Sequence, residues 1–532
     1  MVNARKDFFA RFAVVLLAVA VLTAGAWNRG AEYDEQYTMF LTAGAARPIW
    51  PDTAFPASLV RNIQSGHAGF AAIAHDLRRT DVHPPLYFWA VALWRFVAGD
   101  GLFTARLLSV GCGLGAVAAV GAIARRSGIP PALAMLLTLG CYGFAYTSGI
   151  ARGFALAQML TLAGVACALG GRGVRRGLLT GTLFGAALLA NYLALFVGAA
   201  VLATIGWSGL TMRLRTGNLL PLPPPSRGNG EVVSPAPCRR APRSTPTGTV
   251  LPLFAGFAPF LLIAVWFYLA QRNSRTSQFA PFELLPALAR LARYTAGNLC
   301  GGLPLYTPDA LRPTVTTLLA LGIIGLIGLA LRRWPNIATS QARGLFAAAA
   351  VAPPLGLLAL GIIFDNTPIE LRYLSFATPF IALLLAGAIH AAPRKRLILG
   401  VVLTIQVASV AGLILRSETM QPARATAAGA AELAEGGVVL IPRGNDGVGV
   451  VGAFATEAPP NLLLLVIGPN ETPANIRARA APFRRVVLAL MARDRDSQAA
   501  VPAMRAAFLA PEWHAVATRI DVEVWERNSE TE

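Results

Sequence analysis

Long apolar runs separated by short polar stretches dominate the first four-fifths of the chain, and many approach the roughly 20 residues a helix needs to cross a bilayer. The first covers residues 12–27, after Arg5, Lys6 and Arg11. Its basic start and apolar body resemble a secretory leader, but the runs that follow make it an uncleaved first span. Others cover 102–124, 131–148, 154–169, 250–270, 314–331, 344–364, 373–389 and 397–415. The stretch 177–207 is too long for one ordinary span, and Asn191-Tyr192 near its middle predicts a tight turn between two shorter helices. The pattern predicts about eleven spans. Between the first two lies a polar region, 28–101, in which 84–97 is apolar but short and interrupted by Arg95. That segment predicts a re-entrant or interfacial helix. Another amphipathic stretch, 284–294, lies in the loop 271–313 and could rest on the membrane surface.

Two regions break the rhythm. Residues 211–248 are rich in Pro and Arg and predict a disordered linker. From 416 to 532, helix-like stretches (423–435, 497–510) alternate with short strand-like runs at 438–441, 462–467, 486–490 and 515–525. This alternation predicts a small soluble α/β domain. The expected fold is a polytopic α-helical membrane protein, residues 1–415, followed by that domain, residues 416–532. The glycines at 436–437 and 444–449 read as turns within it, since they lack the spacing of a phosphate loop.

Composition agrees with a lipid-solvated chain. Of the 532 residues, 55% are hydrophobic and only 14% charged, against about 25% charged in ordinary soluble domains. The net charge of +19 would suit a nucleic-acid binder if it formed a patch. Instead the arginines cluster at the ends of apolar runs, at 125–126, 175–176, 332–333 and 394–396, as positive-inside signals do. No nucleic-acid partner is expected. The same rule places the N-terminus in the cytoplasm, with the 28–101 loop and the tail on the periplasmic side of a bacterial inner membrane. The five cysteines show no paired spacing, so neither a disulfide framework nor a zinc site is indicated.

Candidate chemistry gathers at the outer ends of the spans. Asp34 and Glu35 follow the first span in Tyr33-Asp34-Glu35. A carboxylate there can act as a general base; the bland alternative is a solvated loop acid. His83 precedes Pro84-Pro85, where a helix start can meet phosphate or simply begin a helix. Arg106, Arg152 and Arg372 fall on the side that positive-inside logic disfavours. Arginine suits phosphate through its fork of donors; the alternative is a snorkelling side chain or an ion pair such as Arg372 with Asp365. His67, His75 and His83 recur every eight residues but match no standard ligand pattern. No cofactor is specified, and a divalent metal stays an open alternative.

Taken in order, these segments resemble the bacterial GT-C membrane glycosyltransferases of the protein-mannosyltransferase and aminoarabinose-transferase type. The matching pieces are Tyr33-Asp34-Glu35, Val82-His83-Pro84-Pro85-Leu86-Tyr87, Ala105-Arg106-Leu107-Leu108-Ser109, Ala151-Arg152-Gly153-Phe154, Asn191-Tyr192 and Leu371-Arg372-Tyr373-Leu374. They span residues 12–415 and leave out the tail. The resemblance implies transfer of a sugar from a polyprenyl-phosphate carrier to an acceptor outside the membrane, with Asp34 as base and Glu35 beside it. It implies that His83, Arg106, Arg152, Asn191, Tyr192, Arg372 and Tyr373 hold the carrier phosphate and sugar. The acceptor (lipid, glycan or protein) is not specified. This sequence differs from the family in having no acid in the turn 147–153, Gly153 where proline is common and Asn191 where histidine is common. A transporter or flippase of a lipid-linked sugar, or a non-catalytic scaffold, remains the alternative; the former predicts charges near mid-span.

Overall fold

A computed structural model describes residues 2–171, 173–217, 247–272, 281–301, 303, 307–416, 421–519 and 521–528. The expected linker at 211–248 lies almost entirely outside the residues whose side chains are described. Among the described residues, six helices are long and apolar enough to cross a membrane: Arg5–Asn28, Leu102–Ser127, Leu251–Gln271, Arg312–Arg332, Ser340–Phe364 and Lys395–Leu415. Phe154–Leu169, Val174–Ala190, Ala194–Gly217 and Thr378–His390 complete the bundle. No residue of Arg312–Arg332 is fully buried, and Leu318, Leu321, Ile324 and Ile327 are exposed on a helix long enough to span, an apolar face that suits lipid. The chain is a multi-pass membrane protein.

One expected segment needs amending. The run 131–148 is not continuous; it breaks at Gly140-Cys141 into Pro131–Leu139 and Tyr142–Ser148. A break at membrane depth frees backbone carbonyls that must find donors within the protein. Gln406 Nε2 and Cys141 Sγ both donate to the Leu137 carbonyl, at 3.1 Å each. The apolar piece 84–97 is the helix Leu86–Ala98, and Arg95 turns inward from it. Arg95 donates to the Met39 carbonyl at 3.2 Å, Thr42 Oγ1 at 2.6 Å and the Gln64 carbonyl. Leu93, Phe96 and Val97 on the other face are exposed.

The tail forms strands β2 (Val438–Pro442), β3 (Leu463–Ile467), β4 (Arg485–Ala489), β5 (Trp513–Arg519) and β6 (Val522–Arg527). β1 (Phe55–Pro56) comes from the first loop. The sheet order is β1-β3-β2-β4-β6-β5. β3, β2 and β4 are parallel, while β1, β5 and β6 run antiparallel to their neighbours. The run expected as one strand at 515–525 is a hairpin, turned at Asp521, which has φ +59°.

Alternate residues of the parallel strands serve two cores, as pleating requires. Val438, Leu440, Leu465 and Leu488 face Ile476 and Met504 on the tail's own helices Pro473–Ala480 and Arg495–Ala506, and Phe508 just past the second. Val439, Ile441, Leu464 and Val487 face Ala427, Phe454, Tyr37, Phe40 and Leu41. The last three belong to the first loop, so loop and tail share one sheet and one core.

Glycines set the closest helix approach in the bundle. A Cβ at Gly181 would meet the Leu253 carbonyl oxygen, and one at Gly256 the Leu178 carbonyl oxygen. Backbones this close need small residues on both sides. Gly181→Val should lower the melting temperature of the detergent-solubilised protein, by a loss of about 1–3 kcal/mol of stability. Gly322→Val, on the lipid-covered helix with nothing near its Cβ position, should leave it unchanged.

Candidate active site

The chain leaves the first span at Asn28, crosses a short linker and enters the helix Tyr33–Ala43. Glu32 caps that helix, with Glu35 returning to the Glu32 N–H at 3.1 Å. Acids are favoured in a first helical turn by the backbone dipole. Three carboxylates in four residues at the edge of an apolar bundle nevertheless require cations. Each takes a different arginine.

Glu32 pairs with Arg29 at 3.3 Å and accepts from the Tyr146 hydroxyl at 3.0 Å. The Arg29 guanidinium lies 4.4 Å from the Tyr146 ring centre. Glu35 is fully buried and meets Arg106 through two bonds, 2.8 Å from Nε and 2.5 Å from Nη2. It also accepts from the Ala151 N–H at 2.8 Å. Arg106 spends its remaining donors on the carbonyls of Ala26 (3.0 Å), Arg29 (2.8 Å) and Gly30 (2.7 Å). Its five N–H groups therefore have five acceptors, and none is left for a phosphate. Glu35 and Arg106, both expected at the substrate site, are engaged here with each other and with the backbone just before the Tyr33–Ala43 helix.

Asp34 pairs with Arg372, which arrives on the 3-10 segment Leu371–Phe376 ahead of Thr378–His390. Both remain partly open, with side chains 16% and 13% exposed. This replaces the alternative pairing of Arg372 with Asp365, whose Oδ1 instead lies 3.3 Å from the Phe282 N–H. Burial works against the Arg372 charge, but Asp34 more than offsets it and holds the guanidinium well above its usual range. Glu370, an acid the motifs passed over, shares this field. Burial pushes its carboxyl up, against the pull of Arg372 and Arg290.

A second cluster lies one helical turn along. Asp81 is fully buried, with His83 Nδ1 3.1 Å from both its oxygens. Arg152 Nη2 lies 3.3 Å from His83 Nε2. The Arg152 guanidinium is centred 6.0 Å from the Tyr37 ring and 5.9 Å from the Phe88 ring. Tyr37 stands three residues beyond Asp34, and Phe154, two beyond Arg152, stacks on Tyr373 at 6.2 Å. The Arg372 guanidinium lies 5.4 Å from the Tyr373 ring centre. Arg152 Nη1 is buried and has no protein partner, a donor a phosphate oxygen would satisfy.

The remaining candidates have structural partners. Asn191 Oδ1 accepts from the Leu193 N–H at 3.0 Å and closes the turn between helices. The Tyr192 hydroxyl donates to Gln271 Oε1 at 2.8 Å, and Gln271 Nε2 donates to the His83 carbonyl at 2.9 Å. These two residues hold the floor behind His83. The histidines do not converge: His67 lies 3.3 Å from Asp100 and His75 3.1 Å from Arg79. Among the described residues no three His, Cys, Asp or Glu side chains gather as metal ligands would.

No protein-family model and no curated protein sequence matches the chain. Solved structures do. ArnT from Cupriavidus metallidurans in the apo state aligns over 98% of both chains, with a TM-score of 0.52 and 13% identity. The same protein bound to undecaprenyl phosphate aligns over 98% of both chains at 0.48 and 12%. The S. cerevisiae protein O-mannosyltransferase Pmt1-Pmt2 complex, bound to the sugar donor, aligns over 52% of this chain and 36% of that one at 0.33 and 16%. The fold is therefore one the chain shares with apo ArnT. The likeness to apo ArnT includes the tail, which the sequence motifs had left out.

Removing Arg106 alone would strand the Glu35 charge. Arg106→Met should cost about 3–5 kcal/mol, seen as loss of detergent-stable protein, and Glu35→Gln in the same chain should recover part of it.

Proposed function

We propose that the chain transfers a sugar from a polyprenyl-phosphate carrier to an acceptor hydroxyl or amine at the periplasmic face of a bacterial inner membrane. The observation that carries this reading is the partly open pair of Asp34 and Arg372, with Arg152 set over Tyr37 of the Asp34 helix and its Nη1 unpartnered. A base and two cations are what a displacement at a glycosyl phosphate needs. The GT-C fold shared with apo ArnT supports the choice of substrate class.

In this mechanism Asp34 takes the proton of the acceptor as its oxygen or nitrogen attacks the anomeric carbon. The bond from that carbon to the phosphate oxygen breaks, and the carrier phosphate leaves with an added negative charge. Arg372 and Arg152, with His83 next to Arg152, stabilise that charge. Attack opposite the leaving group inverts the anomeric centre. Arg372 has a further part, because its charge lies against the base before the donor arrives. A donor phosphate competes for the Arg372 fork, which loosens its hold on Asp34 and raises the basicity of that carboxylate when the acceptor is to be deprotonated.

Asp34→Asn should lower transfer at least about a hundredfold in membranes containing matched amounts of inserted protein. Arg152→Ala should raise the donor KM about tenfold or more through the lost charge-assisted bond. Full transfer by Asp34→Asn would remove that residue from the mechanism. No transfer by wild type across several donor sugars would bring the flippase and scaffold alternatives forward.

A further inference from the structure

The tail is bound to the linker that carries Asp34 through a second set of charged groups, which meets Arg106 at the Arg29 carbonyl. Glu457, the last residue of the helix Gly449–Glu457, accepts from the Ala31 N–H at 2.7 Å. Its other oxygen accepts from Arg424 Nε at 2.8 Å. Arg424, on the helix Ala423–Leu433, donates in turn to the carbonyls of Asn28 (2.8 Å) and Arg29 (3.2 Å). The linker carbonyls from Ala26 to Gly30 are thus held by Arg106 on the membrane side and Arg424 on the tail side. The Ala31 N–H goes to the tail.

The grip continues into the first turn of the Asp34 helix. The loop leaving β2 lies where an open α/β sheet ordinarily takes a ligand, beyond the carboxyl end of a parallel strand. Here it takes two side chains of the first loop. The Asp446 N–H donates to the Tyr33 hydroxyl at 3.3 Å, and Trp50 Nε1 donates to the Gly447 carbonyl at 2.7 Å. A Cβ at Gly449 would lie 2.6 Å from the Tyr33 ring, and one at Gly452 2.9 Å from Gln36 and Phe40. Asp34 therefore has tail contacts on the residue before it and on the residue two after it.

We infer that Glu457 and Arg424 are positioning residues for Asp34: the tail sets the register and direction of the base through the backbone at residues 28–33, without touching substrate. This rests on the glycosyltransferase reading above. The geometry distinguishes positioning from simple docking. Docking needs only the apolar face of Phe40, Leu41 and Phe454, whereas these charged groups address the non-helical backbone just before the base. Misplacement of a reacting group by about 1 Å can lower turnover a hundredfold.

The test uses the full chain in membranes, with Glu457→Ala, Glu457→Gln and Arg424→Lys. The two readouts are amide hydrogen exchange of residues 28–37 and steady-state transfer from the polyprenyl-phosphate sugar on which wild type turns over. Glu457→Ala should speed exchange in that segment and lower kcat about tenfold to a hundredfold, with donor KM within about twofold of wild type. Glu457→Gln still offers an oxygen to the Ala31 N–H and should keep kcat within about threefold. Unchanged exchange in Glu457→Ala overturns the clamp. Faster exchange with unchanged kcat overturns its role in positioning, as does a loss expressed mainly in KM. If Glu457→Ala does not accumulate, Arg424→Lys carries the same expectations and reversals, because lysine keeps a charge by Glu457 but lacks the fork that spans two carbonyls. If wild type transfers no sugar, the enzymatic reading fails, and exchange alone still decides whether the clamp exists.

Discussion

Glu35 holds a carboxylate where no solvent reaches it, and the surrounding architecture answers that charge. An isolated buried carboxylate would take up a proton or unfold its surroundings. Arg106 meets it with two bonds and uses its other donors to tie the end of the first span, the linker and the next helix together. Asp34, one residue earlier on the same helix, pairs with Arg372 instead. A fully internal pair and a partly open pair thus stand on consecutive residues, and the internal one fixes the backbone before the helix.

Spans and tail strands were legible in the sequence because both depend on local periodicity. Lipid demands unbroken apolar runs, and a parallel sheet covered on both faces demands short continuous ones. The pairings around the acids were not legible. Asp34 and Arg372 lie 338 positions apart, and Ala31 and Glu457 lie 426 apart. No pattern in one chain says which of several outer arginines meets which carboxylate. Arg106 and Arg372 looked alike in sequence, yet Arg106 is buried among Glu35 and three carbonyls while Arg372 stands in a partly open pair with Asp34.

The misread parts of the tail have a physical cause as well. Gly449 was read with 444–449 as a turn, since glycine weakens helices, and Gly452 follows it in the same helix. They belong to the helix Gly449–Glu457 because Tyr33, Gln36 and Phe40 press against it too closely for a side chain. Glycine there records a partner across an interface, which local propensity cannot reveal. The hairpin at 513–527 was merged into one strand because its turn at Asp521 carries neither glycine nor proline.

β1 gives the order of synthesis a meaning. Phe55 and Pro56 emerge early from the ribosome, but their partners Leu464 and Leu463 come only after the remaining membrane helices have been made. Such distant pairings close late and slowly. Until then the first loop has no sheet to join and the linker has no Glu457 or Arg424 to meet. The backbone at residues 28–31 is therefore braced from the tail side only in a chain translated past Arg424 and Glu457, so a product stalled before them would reach the membrane with Asp34 and Glu35 present and that hold missing.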